Sequence, residues 1–304
     1  TADANKQLQA LTPTDKASLK KFKEVVGGGI DVVIGRNLPD PKTIEYEQSV
    51  KNDEGYYLEM AGLLTHKIED EKQEQIPIAF LYPKDWNKQV VIWISEDGKD
   101  GIYHEAATDL MKEGTCVIGV DLLYQGEYHK NDEEIKETRK VKSPREAAAY
   151  THGYNHSLFA RRVQDILTVV SYVKNHGLTP DEVVVVGLDE TAGPLVAAAR
   201  AQARDAIDRA LIDTHGFRFV NVDSIRAVNF LPGGAKYLDL PGMLAVAAPG
   251  KTWLAGESEV REGQGGVELL KKAYAAAGSA DALEIVKRDD VKDIEAAAVE
   301  WILP

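Results

Sequence analysis

Hydrophobic positions change period along this chain, and the changes mark its elements. Residues 157–175 (SLFARRVQDILTVVSYVKN) carry apolar side chains at the three- and four-residue spacing of a helix face. Residues 89–95 (QVVIWIS), 115–121 (TCVIGVD) and 181–189 (DEVVVVGLD) are unbroken apolar runs of strand length. Residues 14–26 (TDKASLKKFKEVV) read as a helix capped by Thr14 and stopped by Gly27-Gly28-Gly29. Residues 43–60 and 76–82 read as extended. Helices are expected over 104–113, 192–204, 264–277 and 291–303, with short strands at 208–213, 243–247, 252–256 and 282–287. Strands that alternate with helices and are apolar on both faces predict a mostly parallel sheet covered on two sides. No repeat or linker divides the chain, so 1–304 is read as one domain, with a helical and extended lead-in over about residues 1–60. Residues 129–150 interrupt the alternation with a dense charge run. The run reads as a solvated excursion or, functionally, as an insertion over the C-terminal edge of the sheet.

Composition narrows the function classes. Hydrophobic residues make up 44% and charged residues 28%, enough for a sizeable core and a soluble surface. A net charge of −13 argues against nucleic acid and against an anionic membrane surface, since both need clustered Lys and Arg. No apolar run reaches the roughly 18 residues of a spanning helix. The polar stretch 1–16 does not resemble a signal peptide, although a chain already cleaved would look the same. Cys116 is the single cysteine; it sits in an apolar run and reads as a buried, inert thiol. No disulfide is possible within the chain.

In open parallel sheets, ligands bind beyond the C-terminal strand ends. The informative stretch is therefore VVVVGLDETAG (183–193), a strand, a tight turn and a small-residue helix arranged like a nucleophile elbow. Gly187 fills the first glycine position and Asp189 the nucleophile position. Thr191 stands at the second glycine position, where a small residue lets helix and strand approach. A carboxylate can act there as a nucleophile, giving an ester that activated water hydrolyses. That chemistry needs a His, expected after the last strand, yet none follows His215. The acid would follow the strand at 251–257, where Glu257 or Glu259 is available. His215, at the end of RALIDTH, is the candidate proton shuttle. His129, His152 and His156 border the excursion, while His66, His104 and His176 read as surface residues. Asp189, Glu190 and His215 could alternatively hold a divalent ion, but no ligand spacing supports that, and neither metal nor cofactor is expected. Ser95-Glu96-Asp97-Gly98 places two acids where backbone donors should meet developing negative charge, which is unfavourable for acyl transfer. Residues 121–127, Asp121 through Tyr124 to Glu127, are similar to a D-x-x-G-x-G esterase loop.

Three segments carry a family resemblance: GYNHSLFARRVQDILTVV (153–170), GLDETAGP (187–194) and GFRF (216–219). They resemble parts of bacterial acetyl xylan esterase-like proteins. More narrowly, they resemble the C-terminal half of long proteins with two α/β-hydrolase domains in tandem, over roughly residues 20–304. Their second domain has a Ser-less elbow of the form G-x-G-E-A-G-P. Gly187, Glu190, Gly193 and Pro194 match that form, while Asp189 and Thr191 replace its Gly and Ala. The resemblance implies a three-layer α/β-hydrolase-type sandwich with a mostly parallel central sheet, and it leans to a periplasmic or secreted protein. No serine nucleophile transfers to this chain. The expectation is thus a catalytically degenerate domain that binds a carbohydrate or a partner α/β-hydrolase domain or subunit. Glu190, Tyr124, His152 and His156 are its candidate binding residues. The alternative is an active carbohydrate deacetylase built on Asp189, His215 and Glu257. A plain solute-binding module would use only the pocket of the fold.

Overall fold

The computed structural model describes residues 2–69, 72–129, 135–139, 152–177, 179–257 and 266–303. Their strands are β1 (Ile44–Asp53), β2 (Tyr57–Glu69), β3 (Lys72–Pro83), β4 (Gln89–Ile94), β5 (Cys116–Val120), β6 (Glu182–Gly187), β7 (Arg209–Asp213), β8 (Lys251–Ala255) and β9 (Leu283–Ile285). They form one nine-stranded sheet in the order β1-β2-β3-β5-β4-β6-β7-β8-β9. From β5 to β9 every neighbouring pair is parallel, and β1–β3 add an antiparallel wing that joins at β5. The expected strands at 89–95, 115–121, 181–189, 208–213 and 252–256 all lie in this sheet.

The helices are α1 (Ala2–Gln9), α2 (Lys16–Phe22), α3 (Gly28–Ile34), α4 (Glu105–Lys112), α5 (Leu158–Asn175), α6 (Ala192–Ala203), α7 (Asp239–Val246), α8 (Val267–Ala277) and α9 (Ile294–Ile302). Alternation along the strands divides the core between two sides. Val90, Ile92, Ile94, Val183 and Val185 join the larger cluster with residues of α2, α3, α5, α6, α7 and α8. Val91, Trp93, Val184 and Val186 join the smaller one with residues of α4 and α9. Cys116 is buried, and burial pushes its thiol up to about 12, so it stays protonated.

Three local expectations are overturned. Gly27-Gly28-Gly29 do not stop the first long helix: a π turn (Lys23–Gly27) carries it into α3, and Gly35 ends it at φ 63°. The missing side chain of Gly29 makes room instead, since a Cβ there would lie 2.4 Å from the Tyr237 ring. The cap is Asp15, whose carboxylate accepts the Ser18 N–H, rather than Thr14. Residues 243–247 are not a strand, because α7 runs through Val246 and ends at the cap Ala247. Every residue of α7 is buried, so a short run apolar on all sides carried no period to read.

Of the charged excursion, 135–139 pair with the segment before α7: Glu137 bridges Ala227, and Thr138 N–H donates to the Arg226 carbonyl at 2.8 Å. The rest of it, 130–134 and 140–151, lies outside the described residues. Among the described residues, no helix is long and apolar enough to cross a membrane.

Candidate functional site at the C-terminal strand ends

The turn from β6 into α6 packs tightly. A Cβ on Gly187 would lie 2.7 Å from Val196 and 2.8 Å from the Ala192 backbone. A Cβ on Gly193 would lie 1.8 Å from the Asp213 carbonyl. The closest approach thus falls on Gly193 rather than on the Thr191 position, and Thr191 is accommodated half-buried.

Asp189 is fully engaged in this turn. One carboxylate oxygen accepts the N–H groups of Thr191 (3.0 Å) and Ala192 (2.6 Å), the other that of Glu96 (2.9 Å). Its own carbonyl accepts Gly193 N–H at 3.0 Å. The side chain therefore caps α6 and ties it to the turn after β4. The residues with positive φ do not include Asp189, so the strained backbone of a working elbow is absent there. Glu190 is exposed beside it.

Positions that could serve an elbow are paired among themselves. His215, at φ 48°, uses its Nε2–H to donate to the Leu188 carbonyl at 2.9 Å. A carbonyl only accepts, so this bond fixes the proton on Nε2. His215 thus reaches the elbow's backbone, and no hydrogen bond joins it to Asp189 among the described residues. Its other neighbour is the buried Asp213, whose Oδ2 lies 3.4 Å from Nε2 and 2.6 Å from Arg288 Nε. Arg288 opens the turn that follows β9, the place at which the chain order of a Ser–His–acid site expects its histidine. Glu257, directly after β8, is buried and held by both terminal nitrogens of Arg218, at 2.9 and 2.6 Å. Arg218 and Arg288 were not singled out from sequence; the visible signal was the Arg within GFRF and the KRDD that follows the last strand. Glu259 lies outside the described residues. Among those residues no group of three His, Cys, Asp or Glu side chains is placed to hold a metal ion, so Asp189, Glu190 and His215 do not assemble one.

Two cavities flank this edge. The smaller, about 290 Å³, is lined by Ser95, Glu96, Asp97, His104 and Asp189 among others. His104 is not the surface residue expected. Its side chain is 22% exposed, lies 3.1 Å from Glu295 and meets the Trp93 ring edge-on at 4.7 Å. His66 is likewise largely covered, 3.5 Å from Glu74, whereas His176 is exposed. The larger cavity, about 530 Å³, brings together Tyr124, Tyr128, His129, His152, His156 and Arg161. Three of the four binding candidates named from sequence thus share one space. Desolvation and the Arg36 charge lower the His156 value. Near this cavity, buried Asp165 accepts the Leu123 N–H at 2.8 Å, and burial pushes its carboxyl up to about 7. Asp121, at the start of the esterase-like loop, is buried and accepts the N–H groups of Lys99 and Glu127 at 2.7 and 3.1 Å, so it shapes the loop.

No protein-family model matches the sequence, and no curated protein does. Solved structures do match in shape. A Bacteroides fragilis protein assigned to the acetyl xylan esterases superposes with a TM-score of 0.62 at 14% identity, over 95% of this chain and 82% of that one. Acetyl xylan esterase 1 from Thermoanaerobacterium sp. JW/SL YS485 gives 0.54 at 13% identity, over 98% and 97%. A promiscuous CE15 esterase from a marine bacterial metagenome gives 0.59 at 11% identity, over 92% of each. At such identities the likeness establishes the fold: this chain has the α/β fold, with a mostly parallel central sheet, that esterases of this kind share.

Proposed function

We propose that this chain is a catalytically degenerate α/β-hydrolase-type domain, a three-layer sandwich that serves as an accessory domain binding carbohydrate. The observation that carries the reading is the Asp189 carboxylate on the Glu96 N–H. In this fold a backbone donor from the turn after that strand helps hold the oxyanion of acyl transfer. Here a fixed negative charge occupies the donor, and a substrate oxyanion would have to displace it. Asp189 also makes a poor nucleophile, because three N–H groups already engage its oxygens. The cavity holding Tyr124, Tyr128, His152 and His156 fits a sugar: aromatic faces and polar edges are interleaved, and the space exceeds that of a single ring. A partner α/β-hydrolase domain would supply the chemistry.

The test has two arms. The purified chain is expected to hydrolyse p-nitrophenyl acetate no faster than a heat-treated control and to resist labelling by a fluorophosphonate. Xylo-oligosaccharides are expected to bind, and Tyr124→Ala with His156→Ala to weaken that binding at least tenfold. Turnover in wild type that Asp189→Ala abolishes would overturn the reading. It would favour the alternative, a carbohydrate deacetylase, for which one observation speaks: Asp189 and His104 line the same cavity. In that case His104→Ala should abolish turnover as well.

A further inference from the structure

The larger cavity at the C-terminal strand ends carries charge as well as rings. Three permanently charged side chains line it: Arg139, Arg161 and Glu137. Glu137 is taken up by an ion pair with Arg226, from the segment before α7. Arg139 and Arg161 are exposed, and their guanidinium groups make no ion pair or hydrogen bond among the described residues. Two carboxylates feel the Arg161 charge without pairing with it. Glu74 is bridged by Arg36 at 3.2 Å and lies 3.5 Å from His66. Asp165 is buried, and burial pushes its carboxyl up to about 7, so much of its charge is lost near neutral pH. In a chain of net charge −13, an opening lined by two uncompensated cations is a local reversal of sign, and a cleft of one sign concentrates the opposite one.

The rings beside these cations are held in place. Tyr124 is 39% exposed, and its backbone stands at φ 64°, a strained conformation for a residue other than glycine. Buried Arg162 fixes it there, donating to the Leu123 carbonyl at 2.9 Å and to the Tyr124 carbonyl at 3.4 Å. His129 donates its Nε2–H to the same Tyr124 carbonyl at 2.6 Å. The Tyr128 hydroxyl donates to the Gln75 carbonyl, which leaves its ring to the cavity. Fixed rings offer flat apolar faces to the C–H face of a sugar. A neutral sugar would use the rings and leave both guanidinium groups to water. A carboxylate or a sulfate on that sugar supplies anionic oxygens for them, and such charge-assisted bonds are the stronger class.

Resting on the carbohydrate reading of this cavity, we propose that the saccharide it takes is acidic: its ring lies on Tyr124, and its anionic group, a carboxylate or a sulfate, pairs with Arg161 and Arg139.

The test is calorimetry on the whole chain with four ligands: xylotriose, xylotriose bearing one glucuronate branch, the methyl ester of that glucuronate, and xylotriose monosulfate. At low salt the glucuronate or the sulfate should bind about 10-fold more tightly than xylotriose, the gain from a bond to a charged group reduced by exposure to solvent. Whichever gains more identifies the anion. The methyl ester should bind no better than xylotriose, and salt at about 0.5 M should shrink the gain. Arg139→Gln with Arg161→Gln should bring the ratio of anionic to neutral affinity close to one. The idea is overturned if neither anionic ligand gains over xylotriose, if the glucuronate gains but its ester gains as much, or if the ratio survives in the double variant. If xylotriose binds and no anionic form gains, this inference alone fails. If none of the four binds, the carbohydrate reading fails with it. The ester comparison uses wild type and keeps the test decisive should the double variant not fold.

Discussion

At the C-terminal ends of β6, β7 and β8, the groups that chemistry could use are bonded within the chain. Asp189 takes backbone donors, His215 gives its proton to a carbonyl, Asp213 faces Arg288, and Glu257 is held by Arg218. At the opposite ends of β4 and β5 the rings of Tyr46, Phe80, Tyr82, Trp86 and Tyr172 wall a cavity, and the buried Tyr46 hydroxyl is left without a partner among the described residues. An active site holds its polar groups ready for an absent substrate and gives up stability to do so. On the proposed reading, Asp189, His215 and Glu257 serve the structure of the C-terminal edge, where the two His104 ring nitrogens stay without a hydrogen-bond partner among the described residues.

The largest expected effect tests the conversion directly. Arg218→Ala leaves Glu257 buried without its counter-charge and should lower stability by about 3–5 kcal/mol in denaturant melts. A loss well under 1 kcal/mol would mean that Glu257 is solvated and free for chemistry.

Next comes Asp165, beside the large cavity. Its folded value is raised to about 7 from an ordinary 3.8. Between those values the folded chain keeps a proton that the unfolded chain has lost. The stability Asp165 contributes is therefore full in acid and is lost as pH rises to about 7. Asp165→Asn keeps the acceptor for Leu123 N–H. It should match wild type near pH 3 and exceed it by roughly 1–3 kcal/mol near pH 8. A difference that does not vary with pH would place the carboxyl in contact with water.

Asp189→Ala should cost about 1 kcal/mol and Asp189→Asn a few tenths, as for other helix caps. An Ala variant as stable as wild type would break the comparison, because a carboxylate kept for binding or catalysis is not needed for stability. The smallest effect belongs to the other end. Tyr46→Phe should change stability by no more than about 0.5 kcal/mol or raise it slightly, since the buried Tyr46 Oη has no hydrogen bond to lose among the described residues. A larger loss would reveal a partner for the hydroxyl.

Much of the fold was legible because apolar strands such as 181–189 and amphipathic stretches such as 157–175 announce their own periods. Where burial is complete the period vanishes, and α7 reads like a strand. Gly27-Gly28-Gly29 read as a stop, since a local rule gives glycine a role in turns, while Tyr237, distant in sequence, needed the space. At the site, the missing Ser and late His were plain from residue order. Tyr124, His152 and His156 were selected as neighbours of a loop and an excursion, and they do meet in one cavity. Arg288 and Arg218 were overlooked because an ion pair across strand ends leaves no spacing signal.

The sequence by itself determined the alternation of strands and helices, the acidic surface and the absence of a serine at the elbow, all set by residue type and near neighbours. Only the tertiary structure decided what each polar group faces. Glu96 and Asp189 are 93 positions apart, yet the carboxylate meets the backbone N–H because β4 and β6 are parallel neighbours that end together. Arg288 reaches Asp213 because β7, β8 and β9 bring their C-terminal ends to one edge. Pairing of that kind depends on distances in space that residue order does not encode locally.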